Sequence, residues 1–181
     1  MGDQQDSGFV LRVARMDDCD AIKALMHAAI LELQKGFLTH EQIESSFAGM
    51  GLDTRLIEDG SYFAVWHGET LAGCGGWSYR STLYGGNHSA TRDDRLLDPA
   101  TERARIRAMY TSPDFIRRGV ARLVIAASEK AARDRGFKAL EMAATMAGKP
   151  FYLTCGYHVE SEWHDTNGAV PVPLATMVKQ L

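Results

Sequence analysis

The chain has 181 residues, 45% apolar and 24% charged, with a formal net charge of −3. That composition suits one soluble globular domain with its own core, and the acidic balance excludes a global pull toward nucleic acid. Cys19, Cys74 and Cys155 are odd in number, far apart and without a Cys-x-x-Cys, which excludes a disulfide framework and reads as reduced thiols.

Residues 1–7 are polar and acidic and read as a frayed tail, with residues 8–181 as a single domain. No apolar run reaches membrane-spanning length, so a cytoplasmic protein is expected. Residues 9–14 read as a strand. Asp17 and Asp18 offer N-caps, and Ile22, Leu25, Met26, Ala29 and Leu33 follow at helical spacing up to Gly36. Thr39 with Gln42 three residues on forms a capping box, which predicts a short helix to about Ala48. Residues 62–66 and 71–77 flank His67-Gly68-Glu69 as a hairpin. Glycines in its second strand predict a bulge or a close backbone approach.

Residues 80–103 carry loop chemistry in Gly85-Gly86-Asn87, Asp93-Asp94 and Asp98-Pro99. A loop of that length is functional or mobile. Residues 105–111 read as a strand with Ile106, Ala108 and Tyr110 on one side. The spacing predicts a helix over residues 119–135, with Val120, Leu123, Val124, Ala127 and Ala131 as its apolar stripe and Gly136 as C-cap. Residues 137–143 read as a strand and residues 150–154 as a short helix opened by proline. Residues 157–163 and 170–178 are the last strands. The order β-α-α-β-β-β-α-β-α-β-β predicts an α/β fold, a mixed sheet flanked by helices in three layers.

The segment from Thr111 to Leu123 carries the most chemistry. An apolar strand runs into it and a long helix leaves it. Gly119 and Ala121 admit close approach, while Arg117, Arg118 and Arg122 bring positive charge to the same point. Exposed amides at a helix start bind phosphates. The local arginine cluster in an acidic chain favours a small anionic ligand over a polyanion.

These features resemble the GCN5-related N-acetyltransferase (GNAT) superfamily over residues 9–177. Leu11-Arg12-Val13-Ala14 with Asp17 and Asp18 is similar to the family's first strand and helix start. The hairpin at residues 65–76 is similar to its second and third strands. Residues 109–121 resemble its acetyl-CoA signature, and Phe151-Tyr152-Leu153-Thr154-Cys155-Gly156-Tyr157 its closing helix-to-strand turn. In the pattern Gln/Arg-x-x-Gly-x-Gly/Ala, Gly119 and Ala121 fit, while Ile116 stands at the first position.

The resemblance implies an enzyme that moves the acetyl group of acetyl-CoA directly to a primary amine, a small-molecule amine ahead of others. A protein acetyltransferase acting on N-termini or lysines and a non-catalytic acyl-CoA-binding regulatory module are the alternatives. It implies that Met109, Tyr110 and Thr111 pair with the pantetheine arm where the strand splays from its neighbour. Arg117, Arg118, Gly119, Val120, Ala121 and Arg122 would hold the pyrophosphate. Tyr152 matches the family's general acid. A thiol titrating at about 8.5 leaves as a thiolate, and a phenol of pKa about 10 can donate to it.

The position some members use for a base is Arg105 here, which leaves Glu141, Glu102 and His88 as candidates; a neutral amine needs none. Thr145 stands where the family often has Asn, and Lys149 adds charge nearby. Tyr84, His88, Arg92 and Asp93 in the long loop are candidate acceptor contacts. Arg103, Arg105 and Arg107 share one strand face, either as a basic lining or in salt bridges to acids such as Asp93, Asp94 or Glu141. The histidines show no metal spacing. A homodimer is implied by analogy, with no nucleic-acid or membrane partner.

Overall fold

The computed structural model describes residues 8–90 and 92–181; the expected tail lies outside the described residues. Seven strands are β1 (Phe9–Val13), β2 (Tyr62–His67), β3 (Thr70–Ser78), β4 (Ala104–Thr111), β5 (Ala139–Thr145), β6 (His158–Asp165) and β7 (Val172–Gln180). They form one sheet in the order β1-β2-β3-β4-β5-β7-β6. Neighbouring strands are antiparallel except β4 and β5, which run parallel. Parallel neighbours need a crossover. Helix α4 (Val120–Asp134) supplies it.

The remaining helices are α1 (Cys19–Leu33), α2 (His40–Gly49), α3 (Thr54–Glu58) and α5 (Lys149–Thr154). Alternation along β2 sorts them into layers. Ala64 is buried with Ile22, Leu25 and Ile30 of α1 and Ile43 of α2. Its neighbour Val65 is buried with Val120 and Val124 of α4. Successive strand residues point to opposite faces, so α1 and α4 cover opposite sides of the sheet. This is the expected mixed-sheet α/β arrangement.

Local signals account for most elements. Thr39 accepts the Gln42 amide at 3.2 Å, and the Gln42 side chain accepts the Thr39 amide at 3.0 Å, closing the capping box. The β3 glycines let α4 approach. A Cβ at Gly73 would strike Val120, and one at Gly75 would strike Met109. The predicted bulge is present, with β3 and β4 shifting register between Cys74 and Gly76.

Three expectations change. Asp18 does not cap α1 with its side chain. Its carboxylate accepts the Arg15 amide at 2.7 Å and pairs with Arg12. Helix α3 was not expected; it is five residues long, too short for a periodic signal, and is opened by the Asp53 side chain accepting the Arg55 amide. On α4 the buried residues are Val120, Val124, Ile125, Ser128 and Ala132, while Leu123 is 40% exposed. The helix is rotated relative to the expected stripe and buries Ile125 and Ala132 with Ser128, whose hydroxyl is satisfied by donating to the Val124 carbonyl.

Candidate active site

Strands β4 and β5 pair only at Ala104–Leu140 and Arg105–Glu141. Beyond those pairs β4 bulges. The β3 step from Gly76 to Cys74 is matched by the longer β4 step from Arg107 to Tyr110. Ala108 takes a left-handed φ of +50° within it. The buried Tyr62 hydroxyl fastens the bulge by donating to the Ala108 carbonyl at 2.7 Å. A bulge bends its strand and re-aims its side chains. Here it separates Ile106 from Ala108 and Tyr110, which pack in a different cluster.

The separated strand ends open on a cavity of about 1040 Å³. Met109, Tyr110 and Thr111 line it from β4 and Thr145 from β5. Residues of α1 line it from one face of the sheet, and residues of α4 and α5 from the other. The cavity therefore runs through the gap between the two strands.

The start of α4 forms one end. Gly119 adopts φ +87° and Arg117 φ +60°. A Cβ at Gly119 would meet nothing within 4 Å, so its backbone conformation, not internal crowding, calls for glycine. The Leu123 amide donates to the Gly119 carbonyl at 3.1 Å. The amides of Val120, Ala121 and Arg122 precede that bond and have no helical acceptor, at the positive end of the helix dipole. Arg117, Gly119, Val120, Ala121 and Arg122 all line the cavity. Arg122 also lies 3.4 Å from the Thr154 hydroxyl and 5.9 Å from the Phe151 ring centre.

Arg118 turns elsewhere. Its guanidinium stacks over Phe9 and Phe115 at 5.1 and 5.0 Å, beside a separate hollow of about 410 Å³. Of the three arginines, Arg117 and Arg122 reach the cavity and Arg118 does not. Ile116 lines the cavity as an apolar wall.

Tyr152 of α5 stands in the cavity wall while remaining 8% exposed. Its ring packs edge-on against Phe151 and Tyr157, at 5.2 and 6.1 Å between centres. Burial, and secondarily the Cys155 thiol, pushes the phenol above its ordinary range, so it stays protonated at neutral pH. Thr145 accepts the Gly148 amide at 3.1 Å, fixing the turn before α5.

The sequence matches the model of the acetyltransferase (GNAT) family over residues 22–157. The chain belongs to this family. The acetyl donor of GNAT acetyltransferases is acetyl-CoA. No curated protein matches it in sequence. Among solved structures it is similar to a GCN5-related N-acetyltransferase from Rhodopseudomonas palustris, at 22% identity and a TM-score of 0.71, covering 95% of each chain. PaiA N-acetyltransferase from Thermoplasma acidophilum, in complex with coenzyme A, aligns at 13% identity and a TM-score of 0.65, over 96% of this chain and 99% of that one. YncA from Salmonella typhimurium, with acetyl-CoA, aligns at 15% identity and 0.63, over 96% and 94%. These likenesses show the GNAT fold.

The structure of this acetyltransferase draws the base candidates away from the cavity. Glu141 pairs with Arg105 and Arg103. Glu102 pairs with Arg95 at 2.7 Å, which together with the Asp98 amide holds it down at about 2. His88 bonds the Ala48 carbonyl at 2.9 Å. Lys149 pairs with Glu162 at 2.5 Å. None of these residues lines the cavity.

The long segment before β4 is likewise structural. Tyr84 is packed against Trp163, Arg92 pairs with Asp53 and Asp94, and Asp93 accepts the Arg95 amide. The expected acceptor contacts there do not reach the cavity. Arg107 accounts for much of this. It is 3% exposed, pairs with Asp53 at 3.1 Å and donates to the carbonyls of Thr82 and Gly85. The salt-bridge reading of Arg103, Arg105 and Arg107 is the one the structure bears out, with Glu141 among the partners and Asp53 an unforeseen one. Sequence reasoning also missed Gln34, Phe37 and Met50 in the cavity wall. Nothing in a linear pattern separates an apolar residue facing a cavity from one facing a core.

Among the described residues, no three His, Cys, Asp or Glu gather into a metal-binding group. No described helix is long and apolar enough to cross a membrane.

Proposed function

We propose that residues 8–181 work as one catalytic unit that transfers the acetyl group of acetyl-CoA directly to the primary amine of a small molecule. The observation that carries this reading is the cavity through the β4–β5 gap, with open helix amides at one end and Tyr152 in its wall. The structures of PaiA with coenzyme A and YncA with acetyl-CoA share that fold and support the choice of ligand.

Each residue then has a physical task. The amides of Val120, Ala121 and Arg122, with the side chains of Arg117 and Arg122, hold the pyrophosphate. Gly119 sets the backbone that aims them, and Arg118 braces the turn on Phe9 and Phe115. Met109, Tyr110 and Thr111 offer the pantetheine arm the strand edge that β5 leaves unpaired. Acetyl-CoA supplies the acetyl group as a thioester. The amine nitrogen attacks the thioester carbonyl, and the carbon–sulfur bond breaks as Tyr152, kept protonated by burial, donates its proton to the departing sulfur. The proton released by the new amide nitrogen returns through solvent to the Tyr152 oxygen. Among the described residues lining the cavity there is no carboxylate or histidine, so the amine enters neutral. Residues of α1 and Met50 wall the cavity beside the β4 edge, and a recessed site of this kind favours a small molecule over a folded protein. Three unpaired cysteines fit a reducing compartment, and we place the enzyme in the cytoplasm.

The test is release of coenzyme A from acetyl-CoA across a panel of free amines and lysine peptides. Turnover on free amines is the expected result. Turnover on peptides alone favours the protein-acetylating reading, and acetyl-CoA binding without release on any acceptor favours the regulatory module.

A further inference from the structure

The cavity of about 1040 Å³ is at the upper end of the range of roughly 300–1,000 Å³ typical of small-ligand pockets, and its walls reach well beyond the α4 start. Besides the α4 start, the β4 edge and the β5–α5 side with Thr145 and Tyr152, the wall comes from α1 and from the residues after α1 and α2: Ala29, Ile30, Leu33, Gln34, Phe37 and Met50. Five of these present only hydrocarbon or thioether. Gln34 is the one polar member, and it is an uncharged amide, 4% exposed, with its Nε2 3.9 Å from Met50 Sδ. Among the described residues that line the cavity none is acidic, and the cations are Arg117 and Arg122 at the phosphate end.

This distribution of charge selects the acceptor by exclusion. A polyamine would carry further ammonium groups into a wall with no carboxylate to pair with them, and an unpaired charge out of water is strongly disfavoured. An amino acid would carry a carboxylate past arginines engaged with phosphate. A hydrocarbon tail meets no such penalty and gains affinity by about fourfold for each methylene buried.

We infer that the acceptor is a monoamine with an apolar tail, an alkylamine or arylalkylamine whose hydrocarbon packs against Leu33, Phe37 and Met50. The inference rests on the reading that acetyl-CoA occupies the other end of this cavity. Phe37 is 52% exposed, so it can be replaced without emptying the core.

The experiment compares kcat/KM with acetyl-CoA for butylamine, hexylamine and phenethylamine against spermidine, lysine and glutamate. Hexylamine should exceed butylamine by about fifteenfold, from its two added methylenes, and exceed spermidine by about a hundredfold or more. Phe37→Asp should lower kcat/KM for hexylamine by about tenfold, leave acetyl-CoA affinity within about twofold and narrow the gap to spermidine; Phe37→Ala should give a smaller loss in the same direction. Spermidine, lysine or glutamate used as well as hexylamine overturns the inference and leaves acetyl transfer standing, as does an unchanged amine ranking in both Phe37 variants. Acetyl-CoA bound with no release on any amine overturns both readings.

Discussion

The turn before α4 and the segment between β3 and β4 are both rich in arginine, and they use it in opposite ways. At the turn, no ion pair to Arg117, Arg118 or Arg122 occurs among the described residues, and two of the three face the cavity beside open amides. Between the strands the charges are spent on one another. Arg80 pairs with Asp59 at 2.7 Å, Arg92 with Asp53 at 2.9 Å and Arg95 with Glu102 at 2.7 Å, and Arg107 joins Asp53 beneath them. Charge left unpaired beside unsatisfied amides is available to a ligand, whereas charge paired under a loop holds the chain in place.

The largest expected effect breaks the second region. Asp53→Ala strands the buried Arg107 guanidinium and also releases Arg92. Removing one partner of a buried ion pair costs about 3–5 kcal/mol, so the urea midpoint should fall steeply. A variant as stable as the parent would mean that these charges are as free as those of the turn, and the contrast would fail.

Tyr152→Phe tests the cavity wall between the regions. Losing a positioned proton donor should lower kcat by about a hundredfold, with acetyl-CoA affinity within about twofold. The pH profile adds a sign. The acid works while protonated and is lost as pH rises through its folded-state pKa, which burial has moved above the ordinary value of about 10. In the parent enzyme kcat should therefore not decline between pH 7 and 9.5 through loss of this proton. Full activity of the variant removes Tyr152 from the mechanism.

Gly119→Glu acts on the turn itself. Nothing lies within 4 Å of the added Cβ, so the branch point itself meets no collision. The φ of +87° strains a side-chain-bearing residue by about 1–2 kcal/mol, and the carboxylate would face the phosphates. Acetyl-CoA affinity should drop by at least about tenfold. An unchanged affinity would move the phosphate site away from this turn.

The two regions also differ in how much of them could be read from the chain. The turn is written locally: strand, proline, paired arginines, glycine and amphipathic helix follow one another within a few residues, and backbone amides need no side-chain partner. The capping box at Thr39 and the glycines of β3 were legible for the same reason. Asp53 and Arg107 are 54 residues apart, and only the folded chain decides which acid that arginine meets. The α4 stripe was misread at Ser128 because a serine can be buried once its hydroxyl finds a carbonyl in its own helix. The α1 side of the cavity stayed hidden because the stripe of α1 faces both a core and a void with the same apolar residues.

The smallest effect sharpens the contrast most directly. Arg117 makes no ion pair among the described residues, and an alanine there keeps the same φ of +60° at a similar backbone cost. Arg117→Ala should therefore leave stability within about 0.5 kcal/mol, as for a surface substitution away from structural features. It should still weaken acetyl-CoA binding by about fivefold, because a charge-assisted contact to phosphate is lost while the open amides remain. Raising the salt concentration should shrink the gap between parent and variant, since screening weakens the parent's exposed charge more than the variant's dipoles. A variant that loses stability instead of affinity would place Arg117 with Arg107, as part of the scaffold.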